Sequence, residues 1–187
     1  MPYVSRGGPK LAHALDAFGV DPAGLVCADL GCSVGGFSDC LLQRGAARVY
    51  AVDTGYGVLD WKLRSDDRVV VMERTNALHL TLPEPVDLVT IDASWTRQAR
   101  IVPVAAGLLR PGGRIVTLIK PHYEAARDLL EDGVLPDARH PEVLATVVAE
   151  LTGLGFRVTG PVESPLRGGK GGNREHLLLV AGSAATA

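Results

Sequence analysis

Short, nearly continuous apolar runs alternate along this chain with stretches whose apolar residues recur at helical spacing, and few folds satisfy both. Runs of about five residues without polar alternation suit strands covered on both faces. They fall at 26–30, 48–53, 69–72, 87–91, 114–119, 155–159 and 175–180. Helical spacing fills 10–18, 36–44, 98–109 and 140–154. Gly19 stops the first of these helices, and Arg110, Pro111, Gly112 and Gly113 stop the third. The segment 54–68 reads as loop. The alternation predicts an α/β fold with a mainly parallel sheet and helices on both faces. The last two runs follow one another with no helix between them, which predicts an antiparallel pair.

One turn stands apart: Asp29-Leu-Gly-Cys-Ser-Val-Gly-Gly36 closes one strand and opens a helix. In open parallel sheets, ligands sit beyond the carboxyl ends of the strands. Glycines there let the backbone turn tightly and approach a ligand. Asp53 ends the next run, where a carboxylate can bridge the two hydroxyls of a ribose. A dinucleotide site would want G-x-G-x-x-G with a helix start facing a pyrophosphate. Here Ser33 replaces the second glycine and Asp29 precedes the first. An anionic Asp29 repels pyrophosphate but suits the cationic amino group of S-adenosylmethionine. The expected cofactor set is Asp29, Gly31, Ser33, Gly35, Gly36, Phe37, Asp53 and Asp92, with Asn76 on the adenine side. A tight turn without a ligand is the plain alternative.

Four charged residues complete the pattern. Asp92 and Lys120 end two runs on the edge that carries the cofactor turn, and Glu175 opens the presumed antiparallel strand. Lys10 sits at a helix start, where the dipole disfavours a cation. Each alone is ordinarily a solvated residue, but the set converges on one edge. A ribose hydroxyl is a poor nucleophile at neutral pH and needs deprotonation or strict orientation. A desolvated lysine near other cations can give up its proton and act as base. Lys120 is the candidate base, Asp92 orients it, and Lys10 and Glu175 complete the charge network. No N-P-P-Y or D-P-P-Y follows the fourth run, and no Pro-Cys pair is present. Both absences argue against methylation of base amines or of cytosine C5.

These residues resemble the FtsJ-like ribose methyltransferase superfamily, in particular the TlyA (hemolysin A) type of ribosomal RNA methyltransferase. The likeness is carried by Tyr3-Val-Ser-Arg-Gly-Gly-Pro-Lys-Leu11, the Asp29 to Asp39 stretch, Ala51-Val-Asp-Thr-Gly-Tyr-Gly57, Leu118-Ile-Lys-Pro121 and Gly172-Asn-Arg-Glu175. The resemblance implies a Rossmann-like class I methyltransferase fold with seven strands, S-adenosylmethionine as cofactor and 2′-O-methylation of cytidine in ribosomal RNA. The family's Lys-Asp-Lys-Glu residues fall on Lys10, Asp92, Lys120 and Glu175. Such proteins usually carry an N-terminal RNA-binding domain, and this chain is expected to start at the linker after it. Ala93-Ser-Trp95 after Asp92, and His122-Tyr123, depart from the usual S-F-I-S-L and Gln-Phe, which leaves room for a different acceptor.

The 187 residues suit one domain, expected at 1–182, with the small polar tail 183–187 frayed. A net charge of −2 excludes a chain that binds nucleic acid by overall charge. RNA, expected as ribosomal RNA or ribosomal subunits, must then be met by local clusters: Arg6 near Lys10, Arg97 with Arg100 near Trp95, and Arg167, Lys170 and Arg174. No apolar run approaches the roughly 18 residues of a membrane span, so no membrane partner is expected. Three cysteines without a tight C-x-x-C pair argue against a zinc site and fit a reducing cytoplasm. The competing functions are a small-molecule O-methyltransferase and a non-catalytic RNA- or cofactor-binding module.

Overall fold

The structure, a computed structural model, describes residues 2–169 and 172–182. Lys170 and the tail expected at 183–187 lie outside the described residues. The elements follow in the order α1 (Gly7–Phe18), β1 (Val26–Leu30), α2 (Gly36–Gln43), β2 (Arg48–Val52), α3 (Trp61–Arg64), β3 (Val69–Met72) and β4 (Val86–Ile91). Then come α4 (Gln98–Gly107), β5 (Leu109–Ile119), α5 (Pro121–Glu124), α6 (His140–Gly153), β6 (Phe156–Glu163) and β7 (His176–Gly182). All seven strands form one sheet in the order β3-β2-β1-β4-β5-β7-β6. Neighbours from β3 to β5 are parallel, whereas β7 runs against both β5 and β6. The predicted mainly parallel sheet with one antiparallel strand is what forms.

Both faces are covered, as continuous apolar strands require. On one side Leu11, Leu15, Cys40 and Leu41 of α1 and α2 meet Cys27, Val49, Val116 and Leu177. On the other, Ile101, Val102, Leu144 and Leu151 of α4 and α6 meet Leu30, Ile91, Ile119 and Leu178. Each fully buried large aliphatic side chain contributes about 1.5–3 kcal/mol. No helix among the described residues is long and apolar enough to cross a membrane.

Several boundaries differ from expectation: β6 runs on to Glu163, β7 to Gly182, and the short α3 lies within the segment expected as loop. Two further differences have a clear physical cause. Helix α1 begins at Gly7, not at Lys10. Proline in a first turn forfeits no helical hydrogen bond, so Pro9 is tolerated. Gly8 is needed because a Cβ there would lie 2.2 Å from the Tyr3 ring. The stretch 110–113 does not simply separate helix from strand. Strand β5 starts at Leu109 opposite Val86, and its next match is Arg114 opposite Leu88. The Pro-Gly-Gly stretch is therefore a bulge in the ladder, with Gly112 at φ +81°.

Candidate active site

The topology places three charged residues side by side. Ile91 pairs with Thr117 across β4 and β5, and Ile119 with His176 across β5 and β7. Asp92 and Lys120 follow the ends of β4 and β5, and Glu175 immediately precedes the antiparallel β7. All three thus leave the sheet at one edge. Lys120 Nζ lies 2.6 Å from Asp92 Oδ1 and donates to Ser94 Oγ at 3.1 Å. Helix α1 brings Lys10 to Glu175 in a second ion pair, with only 8% and 4% of the two residues exposed. The four residues come together as two lysine–carboxylate pairs. The cation-lined surroundings expected for Lys120 are not found: its charged neighbour is Asp92, and Lys10 is neutralised by Glu175.

Beside these pairs lie two adjoining cavities of about 330 and 260 Å³. Gly31, Ser33 and Asp92 line both. Asp53, Asn76 and Trp95 line the larger; Arg6, Gly36 and Phe37 line the smaller. Gly31 is indispensable to this shape, having φ +83° and room for a Cβ only 2.7 Å from the Asp92 carbonyl oxygen. The Asp53 carboxylate accepts the backbone N–H of Ser33 at 2.9 Å and of Gly55 at 2.7 Å, one on each oxygen. Each oxygen retains capacity for another donor. A larger cavity, about 930 Å³, lies between α6 and β6. Its lining from Leu144, Val148 and Pro161 is mainly apolar, so donor chemistry rather than size singles out the smaller pair.

Two members of the expected cofactor set reach neither cavity. Gly35, at φ +102°, packs under Leu59 and Leu63 and serves the turn. Asp29 is fully buried, and its carboxylate accepts hydrogen bonds from Ser38 Oγ (2.7 Å) and Thr90 Oγ1 (3.1 Å). The direct contact expected between Asp29 and a cationic amino group is corrected on that ground: the side chain points into the fold and braces β1, β4 and α2. Burial pushes the Asp29 carboxyl up to about 7, partly offset by those two hydrogen bonds. A carboxyl raised above its unfolded value near 3.8 binds a proton in the folded state that the unfolded chain lacks, so its contribution fades as pH rises from about 4 to 7. Asp29→Asn should therefore flatten the decline of melting temperature from pH 5 to pH 8 relative to the parent protein. Identical declines in both proteins would mean that Asp29 is charged in the fold.

The basic clusters are only partly available. Arg97 is exposed, with part of its guanidinium engaged by Glu124 (3.4 Å) and Glu150 (3.2 Å). Arg174 pairs with Glu163 and lies 3.7 Å from Asp137. Arg6 donates to the Arg167 carbonyl at 2.8 Å, so these two share one rim, while Arg100 is exposed on α4. The sequence marks Ser94, Trp95 and Tyr123 only as departures from the family pattern and does not bring Trp95 and Tyr123 together. Trp95 is 82% exposed, and its ring lies 4.6 Å from that of Tyr123. It also has φ +64°, an uncommon conformation for a bulky residue that often marks a functional loop.

An open α/β sheet in this strand order, with a lined cavity at the carboxyl ends of β1, β2 and β4, defines a Rossmann-like fold, which solved structures at 18% identity share with TM-scores of 0.66 and 0.65. The chain belongs to the FtsJ-like methyltransferase family, whose model matches residues 3–181. It is 45% identical over 185 residues to the 16S/23S rRNA (cytidine-2′-O)-methyltransferase TlyA of Mycobacterium tuberculosis, covering 95% of this chain and 68% of that protein. YqxC of Bacillus subtilis (strain 168) is 44% identical, and the match covers 94% of this chain but only 64% of YqxC. A solved structure from Streptococcus thermophilus superposes with a TM-score of 0.93 at 40% identity, over 98% of this chain and 68% of that one.

Proposed function

We propose that this domain is an S-adenosylmethionine-dependent methyltransferase that acts on a ribose 2′-hydroxyl of RNA, with a cytidine of ribosomal RNA as acceptor and the ribosomal subunit, in the cytoplasm, as partner. The observation that carries this is the meeting of the Lys120–Asp92 and Lys10–Glu175 pairs at the sheet edge beside the glycine-lined cavity. The names of the relatives support the acceptor.

The residues present fit the cofactor. A cavity of about 330 Å³ lies in the range of small-molecule sites, roughly 300–1,000 Å³. Asp53 would hold the ribose hydroxyls, and Gly31, Ser33, Gly36 and Phe37 would let the chain lie close against the amino-acid portion. Asn76 spends its side-chain oxygen on the Leu78 N–H at 3.0 Å, which leaves the amide NH₂ for an adenine. When bound, S-adenosylmethionine supplies an electrophilic methyl group. Lys120, held by Asp92 and Ser94, orients the acceptor hydroxyl and, after giving its own ammonium proton to solvent, takes up the hydroxyl proton at the neutral Nζ. Lys10 and Glu175 neutralise one another and fix the floor under that hydroxyl. Trp95 offers a π-face to an unstacked base, a contact worth about 1–3 kcal/mol in single-stranded recognition.

The test is transfer of labelled methyl from S-adenosylmethionine to separated ribosomal subunits and to free RNA, with mapping of the label. Label on a ribose is the expected result; label only on a small alcohol, or cofactor binding with no transfer, sinks the RNA assignment. Asp53→Ala should weaken cofactor binding by about 10- to 100-fold, since it removes the ribose acceptor and strands the Ser33 and Gly55 amides. Unchanged affinity by calorimetry would remove Asp53 from the site.

A further inference from the structure

The loop joining β4 to α4 runs alongside Lys120 and the short helix α5, tied to them by three successive contacts. At the inner end Lys120 meets Asp92 and Ser94. In the middle Trp95 stacks on Tyr123, which in turn lies 4.1 Å from His122. At the outer end Glu124 Oε1 accepts the backbone N–H of Gln98 at 2.9 Å, and its Oε2 lies 3.4 Å from Arg97 Nε.

That outer contact is unusual in where the cap comes from. Helix α4 lacks a local cap: Arg97 occupies the N-cap position and makes no side-chain cap hydrogen bond. Helices normally recruit Ser, Thr, Asp or Asn at that position, close in sequence and exposed. Here the acceptor is a carboxylate from α5, with Glu124 only 8% exposed. Burial pushes that carboxyl up, so the fold holds this group at a penalty that a local serine would not incur. The start of α4 is further fixed to β5, since Gln98 accepts from Thr117 Oγ1 at 2.6 Å and donates to the Leu118 carbonyl at 3.2 Å. What the remote cap adds is the relative position of α5. Tyr123 immediately precedes Glu124, and Trp95 stands just before the capped turn.

We propose that Glu124 is a positioning residue: by capping α4 from α5 it sets the spacing of Trp95 and Tyr123, and with it the mouth through which an acceptor nucleotide reaches Lys120. The acceptor half of this inference rests on the function proposed above. Without the cap, the two segments remain joined at Lys120 but splay at their outer ends. Glutamine keeps an acceptor oxygen for the Gln98 N–H and preserves the spacing; alanine does not.

The experiment uses a Trp61→Phe background, in which Trp95 is the sole tryptophan. Near-ultraviolet circular dichroism reads the Trp95–Tyr123 pair, with Tyr123→Leu as the reference for its loss. In Glu124→Ala the band should fall to that reference, KM for the RNA acceptor should rise about ten-fold, and cofactor affinity should stay within about two-fold. Glu124→Gln should restore both band and KM, which loss of global stability alone would not produce. A band unchanged in Glu124→Ala overturns the proposal, as does a lost band with unchanged KM. A parent protein inert on RNA would overturn the acceptor assignment instead, while the dichroism still decides whether Glu124 sets the aromatic pair.

Discussion

Lys120→Ala is expected to lower the single-turnover rate of methyl transfer by about 10²- to 10⁴-fold, the range for loss of a positioned acid–base group, while cofactor affinity by calorimetry stays nearly unchanged. The separation of the two effects follows from the geometry. Lys120 does not line the cavity of about 330 Å³ and reaches it only through Asp92 and Ser94, whereas Gly31, Ser33, Asp53 and Asn76 line it directly. Its removal also leaves Asp92 without its cation, so the hydroxyl loses both its proton acceptor and its alignment. Lys120→Arg separates these losses, since it keeps the charge but cannot release a proton near neutral pH. A rate within about ten-fold of the parent in Lys120→Ala would show that orientation by the remaining groups suffices, and that Lys120 is no base.

The largest effect on stability is expected at the Lys10–Glu175 pair. Both residues are more than nine-tenths buried, and among the described residues each forms its ion pair with the other. Removing one partner leaves an uncompensated buried charge, a loss of about 3–5 kcal/mol, whereas replacing both with apolar residues of similar size is often close to neutral. Lys10→Met and Glu175→Gln should each shift the denaturant midpoint strongly, and Lys10→Met with Glu175→Leu should recover most of the shift. If the double variant were as unstable as the sum of the singles, the pair would not be coupled. Should the recovered double variant fold and bind cofactor yet transfer no methyl, the pair also serves the reaction.

Most of the sheet was legible because strands buried on both faces must be apolar throughout. The run at 26–30 coincides with the buried β1 residue for residue, and the run at 69–72 does so with β3, although that edge strand is only partly buried. Helix α1 was misjudged at its start because Gly7, Gly8 and Pro9 weigh against a helix locally, while the need to admit the Tyr3 ring is visible only in three dimensions. The convergence of Asp92, Lys120 and Glu175 could be read from strand ends, since topology alone sets it. The surroundings of each could not. Arg97 is exposed as its sequence suggests, yet its pairing with Glu124 and Glu150, far away in sequence, could not be read. Asp29 looked like a ligand, yet Ser38 and Thr90 turn it inward. Pairings between distant segments leave no mark on local composition.

The antiparallel β7 has a further consequence. Lys10 and Glu175 are separated by 165 positions, and the strand that delivers Glu175 must slot between β5 and β6 before the two can meet. No chain that ends before Glu175 contains the proposed constellation. During synthesis, a growing polypeptide could assemble β1 to β4 and the cofactor cavity long before Glu175 emerges. Insertion of β7 then completes the sheet and the proposed set in a single event, so a chain that ends before Glu175 is expected to be inert toward its acceptor.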